Sequence, residues 1–276
     1  MRFVILFNCH GSQYLHHLKS FDIIKKRFEF NLINIYEFMD KDFGENEICM
    51  LQNADIALIQ YIKNDRPYIN HERIRGILKN DCKVILLPHY VFDGYFVKIK
   101  LPEEFTIEKS QQELMSIFNN IEVDAAKVIT NYENALVEFK SVAATGSIDV
   151  SDIMLNHFKN VRLFNGRGYP TSIFFRCTAI EIIKFLGYGD DIDTVNIDCV
   201  DTGFAHNIKY PILPKVKEIL DLKFDWDNIT NAGEQYSLLE YLFAYKENNN
   251  DYINLHAYPA HLESIKKYKR LLKDKI

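Results

Sequence analysis

The feature that most constrains this chain is its first run, Arg2–Phe7, read Arg-Phe-Val-Ile-Leu-Phe and followed at once by the polar Asn8. A strand with one wet face alternates apolar and polar residues. A run that is apolar at nearly every position demands burial on both faces, as in a parallel sheet covered by helices. The next hundred residues keep that pattern, alternating short β-type runs with helical ones. A helix is expected over residues 13–28 and a second strand over 30–35. A third strand is expected over 55–61 and a fourth over Lys83–Leu87, stopped by Pro88. Between the last two, Ile74, Ile77 and Leu78 recur at helical spacing. Ligands of parallel sheets bind beyond the carboxyl ends of the strands. Three such ends matter here: Asn8-Cys9-His10-Gly11, the segment from Gln60 to Arg66, and Pro88-His89.

Beyond residue 100 the pattern turns helical. Val123, Ala126, Ile129, Tyr132, Leu136, Phe139 and Ala143 step by three or four residues and stop before Gly146, which predicts an amphipathic helix over 122–145. Further helices are expected from a cap at Thr171 or Ser172 to Gly187, over 214–222, after the capping-box sequence Ser237-Leu-Leu-Glu240, and over 260–273. The predicted fold class is an α/β N-terminal subdomain with a short parallel sheet, over 1–100. A principally helical remainder, over 101–276, forms a cradle and packs with the first part as one body.

Composition excludes several classes. A formal charge of −5 over 276 residues gives no general attraction to nucleic acid. The five cysteines (Cys9, Cys49, Cys82, Cys177, Cys199) are odd in number and hold no C-x-x-C spacing, which argues against a disulfide framework or a thiolate metal site. No apolar run approaches the ~18–20 residues of a bilayer span. A soluble, cytoplasmic protein with reduced thiols and no metal is the expectation.

The strongest local signal is the strand-to-helix turn Asn8-Cys9-His10-Gly11-Ser12. A helix starting near Ser12 directs free N–H groups and the positive end of its dipole at this turn, a setting suited to a phosphate, a carboxylate or a developing oxyanion. The same field would favour a Cys9 thiolate, with His10 beside it as base or cation. Gly11 permits close backbone approach. Gln60 offers amide hydrogen bonds, and Arg66 a fork for phosphate. His89 directly follows a strand end, and Tyr90 and Tyr95 offer rings for stacking on a base or sugar. Asn165-Gly166-Arg167-Gly168-Tyr169-Pro170 precedes a helix, another anion-friendly place, with Arg167 as the cation. For each of these a plain packing or surface role is the competing reading.

Taken in order, Asn8-Cys9-His10-Gly11, Ala54-Asp55 through Gln60, Asp65-Arg66, Pro88 through Tyr95, Asn165 through Pro170 and Tyr210 through Pro214 resemble the WcbI-type polysaccharide biosynthesis family. The resemblance implies a coenzyme A-binding cradle and O-acetyl transfer from acetyl-CoA to a capsular or surface sugar of a bacterium. Joined to that resemblance, the residue readings above put Cys9, His10 and His89 at the chemistry, with Asn8, Gly11, Ser12, Gln60, Arg66, Tyr95 and Arg167 holding the acyl donor, although the family often has Gln at the position of His10. The implied partner is a sugar or polysaccharide acceptor, with peripheral association to capsule assembly machinery. A fainter likeness to the SGNH hydrolase class bears on the subdomain topology more than on hydrolysis, and two alternatives stay open. One is a cysteine-dependent esterase or deacetylase pairing Cys9 with His157, His206 or His256; the other is a non-catalytic CoA- or nucleotide-binding scaffold.

Overall fold

The computed structural model describes residues 1–62, 68–97, 100–192, 211–224, 229–231, 234–248 and 259–273. Four strands, β1 (Arg2–Phe7), β2 (Glu29–Asn34), β3 (Ile56–Gln60) and β4 (Lys83–Leu87), form one parallel sheet in the order β2-β1-β3-β4. Phe3 through Phe7 are at most 1% exposed, so β1 is buried on both faces, as its unbroken apolar run requires. Ile5 lies opposite Leu32 on β2 and Leu58 on β3. The chain leaves β1 first toward β2 and then returns past it to β3, so the strand order reverses between β1 and β3. A doubly wound sheet opens its ligand crevice at the carboxyl side of such a reversal.

Helices α1 (Gly11–Lys19) and α2 (Asp22–Arg27) connect β1 to β2. The single helix expected over 13–28 is thus two. Ser20 closes α1, its Oγ bonded to the His17 carbonyl at 2.7 Å, and extended Phe21 starts α2. Phe21 is 6% exposed and lies under the Arg176 guanidinium at 3.8 Å, so a tertiary contact interrupts a pattern that is locally continuous. Helix α3 (Glu45–Gln52) precedes β3 and α4 (His71–Ile77) precedes β4.

After β4 come α5 (Gln111–Asn119), α6 (Ala125–Ala143) and α7 (Ser151–His157). A hairpin of β5 (Phe164–Gly166) and β6 (Tyr169–Pro170) leads into α8 (Ser172–Phe185). Next are α9 (Pro214–Leu220), a second hairpin of β7 (Ile229–Asn231) and β8 (Glu234–Tyr236), α10 (Leu238–Glu247) and α11 (Pro259–Leu271). The predicted α/β part with a principally helical remainder is therefore observed. Ser237 is the N-cap of α10 with both capping-box bonds made, and left-handed Asp221 ends α9.

The chain divides into two compact units. The first comprises Met1–Tyr90, Phe139–Leu155 and Ser172–Val200. It holds the sheet, and Ser147 extends the β4 edge through its N–H to the Leu86 carbonyl (2.7 Å) and its Oγ to the Leu86 N–H (2.8 Å). The second comprises Val91–Glu138, Asn156–Thr171 and Asp201–Ile276. Its core gathers Phe92, Tyr95 and Phe164, with Tyr95 edge-on to Phe92 at 4.9 Å. The Lys246 ammonium gathers the carbonyls of Pro102, Glu103 and Phe105 at 2.8–3.1 Å, tying a loop to α10. Among the described residues no helix is long and apolar enough to cross a membrane.

Candidate functional site

Asn8 sits where the sheet reverses and joins three strand ends. Its backbone N–H donates to Gln60 Oε1 at the end of β3 (3.0 Å), and its Nδ2 meets His89 Nδ1, just past β4, at 3.2 Å. Its Oδ1 accepts the His10 backbone N–H at 2.9 Å, and its carbonyl accepts the Gly11 N–H at 2.9 Å. At 4% exposure Asn8 needs these partners, because a buried amide left unpaired costs about 1–3 kcal/mol.

The Asn8 loop turns His10 inward. Its ring stacks on His89 with centroids 5.2 Å apart and planes 10° from parallel, and it meets the edge of Phe175 on α8 at 5.3 Å. Tyr14, one turn further along α1, also packs on Phe175, at 5.0 Å. Burial drives His10 down to about 3, with a smaller push from the neighbouring His89. Burial also lowers His89 below the ordinary histidine value. Both rings are thus neutral at physiological pH, and His10 is too weak a base to take a proton from a hydroxyl. His89 is less enclosed than His10.

Cys9 is exposed, with the Ser12 Oγ bonded to its carbonyl at 2.9 Å. Desolvation of the sulfur raises the thiol above the ordinary cysteine value, outweighing the backbone N–H groups of Cys9 and His10 that face it. The expected thiolate is therefore absent at neutral pH: local burial exceeds the pull of α1's first turn. The Gly11 N–H, expected to be free for an anion, is taken by Asn8, which leaves Ser12 as the open donor of that turn among the described residues. Gly11 instead serves packing. A Cβ there would lie 2.8 Å from Leu32 Cδ1 and 2.9 Å from Phe7 Cβ, so only glycine lets α1 close down on the sheet.

The first unit therefore brings together Asn8, Cys9, His10, Gly11, Ser12, Gln60 and His89. Tyr95 and Arg167 belong to the second unit. Tyr95 is fully buried with its hydroxyl on the Phe158 carbonyl (3.2 Å), so its ring faces are spent on the core. The Arg167 guanidinium is held by Glu138 at 3.0 Å and faces Asp93 at 3.8 Å, and its carbonyl accepts the Phe92 N–H. Arg66, Tyr210, His206 and His256 lie outside the described residues. Tyr90 is a core residue between Phe139 and Phe174. Phe175 is the wall of the site that sequence reasoning missed. Its neighbour Phe174 is equally buried, and periodicity does not say which ring reaches His10. Among the described residues no group of three or more His, Cys, Asp or Glu could hold a metal ion.

A coenzyme A thioester is fitted by this geometry at one end. An un-ionised thiol at Cys9, the Ser12 N–H and a neutral imidazole suit a thioester carbonyl, whereas the described cation expected at the phosphates, Arg167, already has two carboxylates.

No family model matches the chain, and no curated protein matches it. Among solved structures it is similar to WcbI, described as a novel polysaccharide biosynthesis enzyme, the native protein without a disulfide bond between coenzyme A and one of its cysteines. The likeness covers 99% of this chain and 95% of that one with a TM-score of 0.67 and 14% identity, and it shows that the two share a fold over nearly their whole lengths.

Proposed function

We propose that this protein is an acyl-CoA-dependent O-acyltransferase, most simply an acetyltransferase, that modifies a sugar hydroxyl in the biosynthesis of a capsular or surface polysaccharide. The observation that carries the reading is the Asn8-anchored turn at the strand-order reversal, where exposed Cys9 directly precedes His10 and its stacked partner His89. The full-length likeness to a polysaccharide biosynthesis enzyme described with coenzyme A supports the same direction.

In this reading the acceptor oxygen bonds to the thioester carbon, the carbon–sulfur bond breaks, and the hydroxyl proton leaves with the thiol product. The Ser12 N–H faces the carbonyl oxygen as charge builds on it, a kind of contact worth roughly 10²–10³ in rate where it has been removed elsewhere. The raised Cys9 thiol favours direct transfer, with Cys9 beside the acyl group of the donor. It also weighs against a cysteine esterase, whose nucleophile must be ionised to act. Capsule machinery in the cytoplasm is the proposed setting.

The test is a thermal-shift titration with acetyl-CoA, coenzyme A and nucleotide sugars, followed by acyl transfer from labelled acetyl-CoA. At ~100 times its dissociation constant a ligand of the folded state adds about 2.7 kcal/mol, an easily read rise in melting temperature. No shift with either CoA species sinks the proposal. Binding without turnover across acceptors favours a scaffold, and release of acetate from an acetylated glycan without CoA favours the esterase. Full activity in Cys9→Ala rules out a covalent route through Cys9.

A further inference from the structure

The Asn8 side chain serves two different neighbours, and together they determine where the proton on His89 lies. The His10 backbone N–H points at Asn8 Oδ1 at 2.9 Å, and a backbone N–H only donates. That bond identifies the oxygen end of the amide, so the atom 3.2 Å from His89 Nδ1 is the donating Nδ2. Turning the amide over would set N–H against N–H at His10. The Asn8 backbone is itself held by Gln60 and Gly11, each at 2.9–3.0 Å. His89 Nδ1 must therefore accept, and a neutral imidazole that accepts at Nδ1 carries its proton on Nε2. Burial lowers His89 below the ordinary histidine value and so favours the neutral ring, with no second ring proton to compete.

We infer that Asn8 is a positioning residue that holds His89 in the Nε2–H tautomer, so that His89 meets the acyl donor as a hydrogen-bond donor to the thioester carbonyl oxygen and not as the base that takes the acceptor's proton. A base would need a bare Nε2, hence a proton on Nδ1, where the Asn8 N–H already stands. As a donor, His89 serves developing negative charge, where a preorganised N–H gains strength as the transition state forms. The tautomer follows from the protein's own bonds; the identity of the oxygen rests on the acyl-transfer reading.

The experiment is a long-range ¹H–¹⁵N correlation spectrum of ¹⁵N-histidine-labelled protein without ligand, with the His89 signals identified by their loss in His89→Gln. The expected spectrum has a bare Nδ1 and a protonated Nε2; a proton on Nδ1 overturns the inference. Wild-type protein suffices for that step. In Asn8→Asp the new carboxylate only accepts, so His89 should switch to Nδ1–H and titrate at higher pH. An unchanged tautomer in an Asn8→Asp protein with native circular dichroism overturns the role of Asn8. Acetyl-CoA should then shift the wild-type Nε2 resonance and coenzyme A, which lacks the carbonyl, should not. Equal shifts with both place a group common to the two molecules there and overturn the thioester-carbonyl assignment. Binding of neither species removes the acyl-transfer reading while the tautomer stands or falls on the first spectrum.

Discussion

Acidification should unfold this protein partly through His10, and the size of the effect follows from where the ring lies. The folded protein holds His10 at about 3 against an ordinary value of 6.5, with burial the main cause and the stacked His89 the second. The folded value is the lower one, so as pH falls the unfolded chain takes up the proton first. Stability is complete above 6.5 and drains until the pH reaches the folded value. At about pH 5 the loss from His10 is roughly 1.4 kcal/mol for each of about 1.5 units, or ~2 kcal/mol. His17, also buried, is held at about 4, for the most part by burial, and adds a comparable amount at that pH. Against a typical total of 5–15 kcal/mol these two rings take a large share. The perturbation that isolates His10 is His10→Gln, which cannot titrate. Urea unfolding followed by far-UV circular dichroism, at about pH 7.5 and about pH 5, should show wild type losing ~2 kcal/mol more than the variant between the two conditions. Equal losses in both proteins would refute the burial argument for His10, whatever the variant's absolute stability.

Three further outcomes are expected. Gly11→Ala should lower stability by about 1–2 kcal/mol in a melting experiment, because the clash with Phe7 Cβ and Leu32 Cδ1 exceeds alanine's better helix propensity; an unchanged or higher melting temperature contradicts the packing role. Tyr90→Phe should leave the fold as stable or up to about 1–2 kcal/mol more so, since the buried hydroxyl has no partner among the described residues; a marked loss would mean that the hydroxyl is bonded. Iodoacetamide should modify Cys9 with a rate that still rises above the ordinary cysteine value, as read by peptide mass spectrometry, given the upward shift of that thiol; a plateau near neutral pH would instead reveal a thiolate.

How far the site was legible differs from residue to residue. β1 and β4 could be read because Arg2–Phe7 and Lys83–Leu87 carry their burial and their stop signals locally. The capping box at Ser237 and the long helix α6 are local patterns too. The split between α1 and α2 was not readable, since it depends on Arg176 covering Phe21 from a segment far along the chain. In the sequence Gly11 reads as backbone freedom near a ligand, but in the fold its neighbours are Phe7 and Leu32. Arg167 reads as a cation open to a ligand because its carboxylate partners Asp93 and Glu138 stand far away in the chain.

By itself, then, the sequence determined that a buried parallel strand ends in Asn8-Cys9-His10-Gly11 and that His89 follows another. These are consequences of short-range pattern: an apolar run must be buried on both faces, and polar residues directly after it must stand at the sheet's carboxyl edge. Only the tertiary structure decided the state of each group there. Cys9 is a thiol, His10 is a neutral buried ring, and Asn8 aims its amide at His89. Protonation and hydrogen-bond direction depend on desolvation and on partners up to 81 residues apart in the chain. Those distances close only when β1, β3 and β4 lie side by side.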